Sequence, residues 1–137
     1  MKRKIVEHFK KVDPKIHAAI DEDIRLFTID TKEKTPSEYF EALCRSIVGQ
    51  QLSGKAAQSI YERFLNVFPR KKVSPKKLSE MTEHELRAVG MSYAKARALI
   101  DHAQKVLTKD VTYKNIKEEN DEDIRDMLLQ IKGVGPW

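Results

Sequence analysis

At 137 residues the chain is long enough for one hydrophobic core, and 26 Lys and Arg against 21 Asp and Glu leave a net charge of +5. That balance suits a polyanionic partner without identifying one. The single cysteine, Cys44, excludes an internal disulfide and a cysteine metal cluster. No apolar run is long enough to span a bilayer, and Met1-Lys2-Arg3-Lys4-Ile5 lacks a signal-peptide core, so an intracellular setting (cytoplasm, nucleoid or nucleus) without a membrane partner is expected.

Residues 2–12 are basic with isolated apolar positions (Ile5, Val6, Phe9, Val12), which reads as a frayed lead-in. Asp13-Pro14 is a helix start, with Asp13 as cap, and Ile16, Ala19, Ile20 and Ile24 recur at helical spacing. Residues 28–34 are polar and read as a loop. Thr35-Pro36-Ser37-Glu38 is a Thr-x-x-Glu capping box, opening a helix that buries Phe40, Leu43, Cys44, Ile47 and Val48. Cys44 falls inside that stripe and reads as core filler rather than reactive thiol.

The helix breaks at Gly49-Gln50-Gln51-Leu52. Ser53 caps the next, with Ala57, Ile60, Tyr61, Phe64, Leu65 and Phe68 on its inner face, and Pro69 closes it. Arg70 to Lys77 is the densest basic run, readable as a phosphate-contacting loop or as a solvated surface. Ser74-Pro75 and Thr82-Glu83-His84-Glu85 open two short helices, and Gly90 ends the second. Ser92 caps a long helix with Ala96, Leu99, Ile100, Ala103, Val106 and Leu107 inside.

After a polar connection, acids at 118–123 lead into Ile124, Met127, Leu128 and Ile131. Gly133-Val134-Gly135-Pro136 follows at once. Glycine just past a helix end takes the left-handed conformation that stops it, and proline suits a first helical position. The stretch reads as helix, tight turn, start of a second helix, a geometry that offers backbone N–H groups to a phosphate. The four histidines (His8, His17, His84, His102) lack metal-ligand spacing. No segment alternates with period two, so the fold class is all-α, a bundle of many short helices.

Three stretches carry a resemblance. Leu128-Leu-Gln-Ile-Lys-Gly-Val-Gly-Pro-Trp137 resembles the helix-hairpin-helix motif, which grips a DNA backbone through main-chain amides. Leu43 to Ala57, with Gly49-Gln50-Gln51-Leu52-Ser53 at its centre, is similar to the helix-loop-helix segment of the 3-methyladenine DNA glycosylase branch of the helix-hairpin-helix glycosylases. Val89-Gly90-Met91-Ser92-Tyr93-Ala94-Lys95-Ala96 is similar to a further connection of that branch. The matches follow the family's order over roughly residues 35–137. The division that results is 1–34 as an N-terminal segment, part of an incomplete second lobe, and 35–137 as a central helical domain. The expected fold is a bundle of the helix-hairpin-helix glycosylase type, incomplete at the C-terminus.

The resemblance implies base-excision repair: duplex DNA carrying a damaged base is bent, the nucleotide is flipped out and its bond from base to sugar is hydrolysed. Flipping is physically required, because a base inside the stack is out of reach. By resemblance, Gln50, Gln51, Leu52 and Ser53 lie at the DNA, with Gln51 as the wedge that fills the gap and Leu52 as the alternate. Lys132, Gly133, Val134 and Gly135 would hold a phosphate, and the carbonyls of Leu129, Ile131 and Val134 would bind a monovalent cation, Na or K; no other cofactor is implied. Bifunctional members carry a Schiff-base lysine where this chain has Trp137. Tryptophan is no nucleophile, but its face stacks on an electron-poor alkylated purine, so Trp137 is the base-pocket residue of a monofunctional enzyme.

The family's catalytic aspartate is expected about one helix beyond the hairpin, past Trp137, so no catalytic residue is assigned. This polypeptide is expected to have essentially no glycosylase activity. Its N-terminal face (Ile16, Ala19, Ile20, Ile24) is expected to be under-covered and prone to self-association. Two alternatives stand beside this reading: a non-enzymatic helix-hairpin-helix module that binds DNA, and a protein-interaction bundle whose basicity is incidental.

Overall fold

Helix starts along this chain are written in small polar residues, and the backbone follows them. A computed structural model describes residues 2–19 and 34–136, and its contacts divide the chain into two units, Met1–Glu33 and Lys34–Trp137.

In the first unit, α1 (Lys2–Val12) is a regular helix where a frayed lead-in was expected. Its Lys, Arg and Glu are good helix formers, Val6, Phe9 and Val12 recur every third residue, and Lys10 and Lys11 sit favourably at its C-terminus. Asp13 then caps α2 (Pro14–Ala19): its Oδ1 accepts from the N–H groups of Lys15 and Ile16 at 3.1 Å each. Val12 and Ile16 are exposed. Of the expected apolar face, the Ala19 side chain, Ile20 and Ile24 lie outside the described residues.

The second unit contains α3 (Pro36–Gly49), α4 (Gly54–Asn66), a 3-10 turn at Pro69–Lys71, α5 (Pro75–Ser79), α6 (Glu83–Ala88), α7 (Tyr93–Thr108) and α8 (Asp121–Leu129). Among the described residues there is no strand, and no helix is long and apolar enough to cross a membrane. Both expected capping boxes form: the Thr35 and Thr82 hydroxyls accept from the N–H groups of Glu38 and Glu85, whose carboxylates reach back to the cap N–H at 2.7 Å. Those hydrogen bonds hold both carboxyl groups below the ordinary glutamate value.

The long helix α7 is the hub, with α3, α5 and α6 packed against it. Ala96, Ala98 and Ala103 are buried along it, and side chains that small let neighbouring helices approach closely. Phe40, Ile47, Phe64, Leu78, Leu86 and Leu99 fill the core, each stabilising it by about 1.5–3 kcal/mol.

Two details depart from the helical pattern. Leu107, expected inside, is 50% exposed; it lies in the last turn of α7, where Val106 rather than Leu107 packs on the core. Conversely Val111 and Tyr113, neither inside a helix, are buried, so the connection after α7 is an anchored strap rather than a polar loop.

Candidate nucleic-acid interface

The first part of the site is the break between α3 and α4. Gln50 has φ −51° and ψ 133°, Gln51 has φ +58°, and the Leu52 N–H donates to Gly49 O at 3.2 Å. Together these describe a type II β-turn over residues 49–52. Its third position favours glycine because the backbone there is left-handed, yet glutamine occupies it, at a cost of about 1–2 kcal/mol. Gln50, Gln51, Leu52 and Ser53 are all exposed, with Gln51 at the tip.

What offsets that cost comes from α7. Lys95 Nζ donates to Val48 O at 2.8 Å and to Gln50 O at 2.7 Å. Each such hydrogen bond from a charged donor contributes about 1.5–3 kcal/mol, enough to outweigh the strain. Partial burial pushes the Lys95 pKa down from the ordinary lysine value.

The second part is the turn after α8. Ile131 is buried and the Val134 N–H donates to Ile131 O at 3.1 Å, closing a bend in which Gly133 takes φ +76°. Gly133 lies against α7: a Cβ there would stand 3.4 Å from Ala98 Cβ. No hydrogen bond among the described residues takes up the N–H of Gly133 or Gly135, and both glycines are exposed. Two free amides at a bend suit an anion. Residues 134–136 carry no helix in the described structure.

Asp101 holds this turn in place. Its Oδ2 accepts from the Lys132 N–H at 2.9 Å and from Lys105 Nζ at 2.7 Å, and Lys132 Nζ stands 3.9 Å from Oδ1. Burial acts against its charge, but the hydrogen bonds from Lys105 and the Lys132 N–H, with the two ammonium charges, outweigh it and keep the carboxyl below the usual aspartate value. Lys95, Ala98 and Asp101 follow one another at three-residue spacing along α7. The glutamine turn and the glycine turn are thus held by one rigid rod, with anchors about 9 Å apart along its axis.

Sequence reasoning found both turns but missed their mounts, Lys95 and Asp101. The signal for Asp101 was there: an acid inside the buried stripe of a helix, four residues before a lysine. Trp137, the expected base-pocket residue, lies outside the described residues. Beside the glycine turn an apolar cleft opens between Leu43 of α3, Ile124 and Leu128 of α8, and Val134, Gly135 and Pro136. The buried Cys44 and His102 play no part in this surface; Cys44 Sγ, His102 and the Tyr113 hydroxyl form a chain inside the core, with contacts of 3.7 and 2.7 Å.

Comparison with known proteins places this geometry. Residues 44–134 match the family model described as HhH-GPD superfamily base excision DNA repair protein. The chain is 32% identical to DNA-3-methyladenine glycosylase 1 of Schizosaccharomyces pombe over 73% of its own length and 45% of the relative's. It is 30% identical to DNA-3-methyladenine glycosylase of Saccharomyces cerevisiae, covering 96% of the chain and 48% of the relative. It is 28% identical to the putative DNA-3-methyladenine glycosylase YfjP of Bacillus subtilis, covering 72% and 36%. The chain thus spans about half or less of the length of these curated relatives.

Among solved structures, the Schizosaccharomyces pombe 3-methyladenine DNA glycosylase Mag1 in complex with abasic DNA superposes with a TM-score of 0.74 at 26% identity, covering 98% of this chain and 65% of that one. The DNA-3-methyladenine glycosidase of Bacillus halodurans gives 0.68 at 28% identity, covering 77% and 48%. The family match runs from within the core helix α3 through the glutamine turn and α7 to Val134 of the glycine turn, and the chain belongs to the HhH-GPD superfamily of base excision DNA repair proteins.

Proposed function

We propose that this chain is part of a monofunctional DNA N-glycosylase that excises alkylated purines of the 3-methyladenine type, and that its 137 residues supply the grip on duplex DNA and the wedge. One observation carries the reading: two exposed glycines, Gly133 and Gly135, whose amides no hydrogen bond among the described residues takes up, and an exposed, strained Gln51 are all held by α7. The amides take a phosphate, and Gln51, with Leu52 beside it, fills the gap left by an everted nucleotide. The names of the relatives support the choice of alkylated purine, and the abasic DNA held by the Schizosaccharomyces pombe neighbour supports duplex DNA as partner.

Hydrolysis needs a group to direct water and to stabilise positive charge on the sugar. Asp101 does not serve, because its carboxylate is engaged by Lys132 and Lys105. As the resemblance implies a catalytic aspartate past Trp137, the polypeptide is expected to bind without releasing base. A monovalent cation at the carbonyls of Leu129, Ile131 and Val134 belongs to the same proposal: Ile131 O is shared with the Val134 N–H, while no hydrogen bond among the described residues reaches Leu129 O or Val134 O. Na or K bound there would tighten the bend beneath the phosphate. Self-association through the exposed Ile16 face belongs to the same proposal, as does an intracellular setting.

The test is fluorescence anisotropy with two duplexes that differ only in a central tetrahydrofuran abasic site, run beside a base-release assay on methylated DNA. The reading expects binding to both, preference for the abasic duplex and no free 3-methyladenine. Absence of binding at low salt overturns it.

A further inference from the structure

We propose that Lys95 is a positioning residue of the wedge, locking the 49–52 turn in its strained type II form so that Gln51 faces the duplex. The inference rests on the reading of Gln51 as the wedge, and its own basis is the turn geometry. A type II turn differs from the commoner type I in the direction of its central peptide: turning the peptide between Gln50 and Gln51 by half a revolution interconverts them. In type I, Gln51 takes an ordinary negative φ and the strain is gone. An unrestrained glutamine turn therefore settles in type I.

The central carbonyl is Gln50 O, and Lys95 Nζ holds it at 2.7 Å while holding Val48 O, at the end of α3, at 2.8 Å. Turning the peptide over carries Gln50 O to the other side of the turn and leaves the ammonium with one acceptor fewer. Lys95 starts from the first turn of α7, whose Ser92 cap accepts from the Lys95 N–H at 3.3 Å, so the root of its side chain is fixed. A preorganised wedge does not have to be ordered while the base is leaving the stack, and lesion recognition gains from that. Binding of undamaged duplex, where nothing is everted, has less need of it.

The experiment compares the wild-type protein with Lys95→Met and Lys95→Arg. The first readout needs no DNA: the sign of φ at Gln51 from NMR couplings and carbon shifts. It is expected positive in wild type and Lys95→Arg and negative in Lys95→Met. A positive φ in folded Lys95→Met overturns the proposal whatever the protein does with DNA. The second readout is the ratio of affinities for abasic and undamaged duplex, expected to fall about tenfold in Lys95→Met, or about 1.4 kcal/mol, and to recover in Lys95→Arg. An unchanged ratio also overturns it. Wild-type protein that binds no duplex sinks the glycosylase reading instead, and the NMR arm still decides the turn. Should Lys95→Met unfold, thermal melts of Lys95→Gln in wild-type and Gln51→Gly backgrounds replace it. Without Lys95 the Gln51 turn recovers its strain by settling in type I, whereas a glycine turn has none to recover, so a larger shift is expected in the Gln51→Gly background, and equal shifts refute the lock.

Discussion

Asp101 and Lys132 meet backbone to side chain: the carboxylate of a buried residue on α7 accepts the amide hydrogen at the start of the glycine turn at 2.9 Å. The contact spans 31 residues of sequence and ties the candidate phosphate grip to the core. Removing the carboxylate leaves the Lys132 N–H and the Lys105 ammonium without their acceptor. Asp101→Ala is expected to cost about 1–3 kcal/mol in urea unfolding, and Asp101→Asn, which keeps an acceptor oxygen, to recover part of it. Because the folded carboxyl titrates below its unfolded value, the contribution is complete above about pH 4 and fades as the pH falls through the folded pKa. Equal loss in the alanine and asparagine variants would show that the acceptor is not what matters.

The two glycines of the turn make different demands. Gly133 needs its left-handed φ of +76°, so Gly133→Ala is expected to lower stability by about 1 kcal/mol and to weaken duplex binding with it. Gly135 has no positive φ, and a Cβ there meets nothing within 4 Å. Gly135→Ala is expected to melt within about 0.5 kcal/mol of wild type yet bind duplex less tightly, because the new methyl group stands where a phosphate approaches. Calorimetry and anisotropy on both variants check the contrast. Unaltered binding by Gly135→Ala removes its amide from the grip.

Local signals were legible and long-range ones were not. Thr35, Ser53, Thr82 and Ser92 each announced a helix that formed, because a cap needs only its own next three residues. The two turns were visible for the same reason. The role of Lys95 was not, since its acceptors lie 45 and 47 residues away and nothing in its neighbourhood says a lysine will reach back to them. Leu107 looked buried by spacing alone, but the periodicity of a helix cannot say where its cover ends. Val111 and Tyr113 were hidden by the opposite circumstance: single apolar residues in irregular segments make no period.

His102 gives the core a pH dependence. It is fully buried, with its two ring nitrogens facing Cys44 Sγ and the Tyr113 hydroxyl and its ring 4.5 Å from that of Phe40. Burial pushes its pKa down to about 4, although nearby Asp101 acts in the other direction. In the unfolded chain the imidazole picks up its proton near pH 6.5, while the folded one does not until about pH 4. The unfolded state thus binds more protons across that window, and stability falls as the pH is lowered through it, by about 3 kcal/mol in all. Urea unfolding at pH 7 and pH 4.5 is expected to show most of this loss in wild type and a shallower slope in His102→Gln. The same slope in both proteins would place the proton uptake elsewhere.

Lys132 and Gln51 separate grip from recognition. The Lys132 side chain is 74% exposed and reaches Asp101 only at 3.9 Å, so its ammonium is available to a phosphate while its backbone N–H stays anchored. Lys132→Gln keeps that N–H and removes one charge. A phosphate contact releases about one counterion, so the slope of log K against log salt should shrink by about 1, and affinity should fall equally for damaged and undamaged duplex. Gln51→Ala removes no charge and leaves the grip alone. Its salt slope should match wild type while the preference for an abasic site declines, because the gap in the stack is no longer filled. Titrations at four salt concentrations with both duplexes distinguish the two effects. A changed slope in Gln51→Ala, or a changed preference in Lys132→Gln, would mean that the two turns are not separable parts and that α7 transmits more between them than a fixed distance.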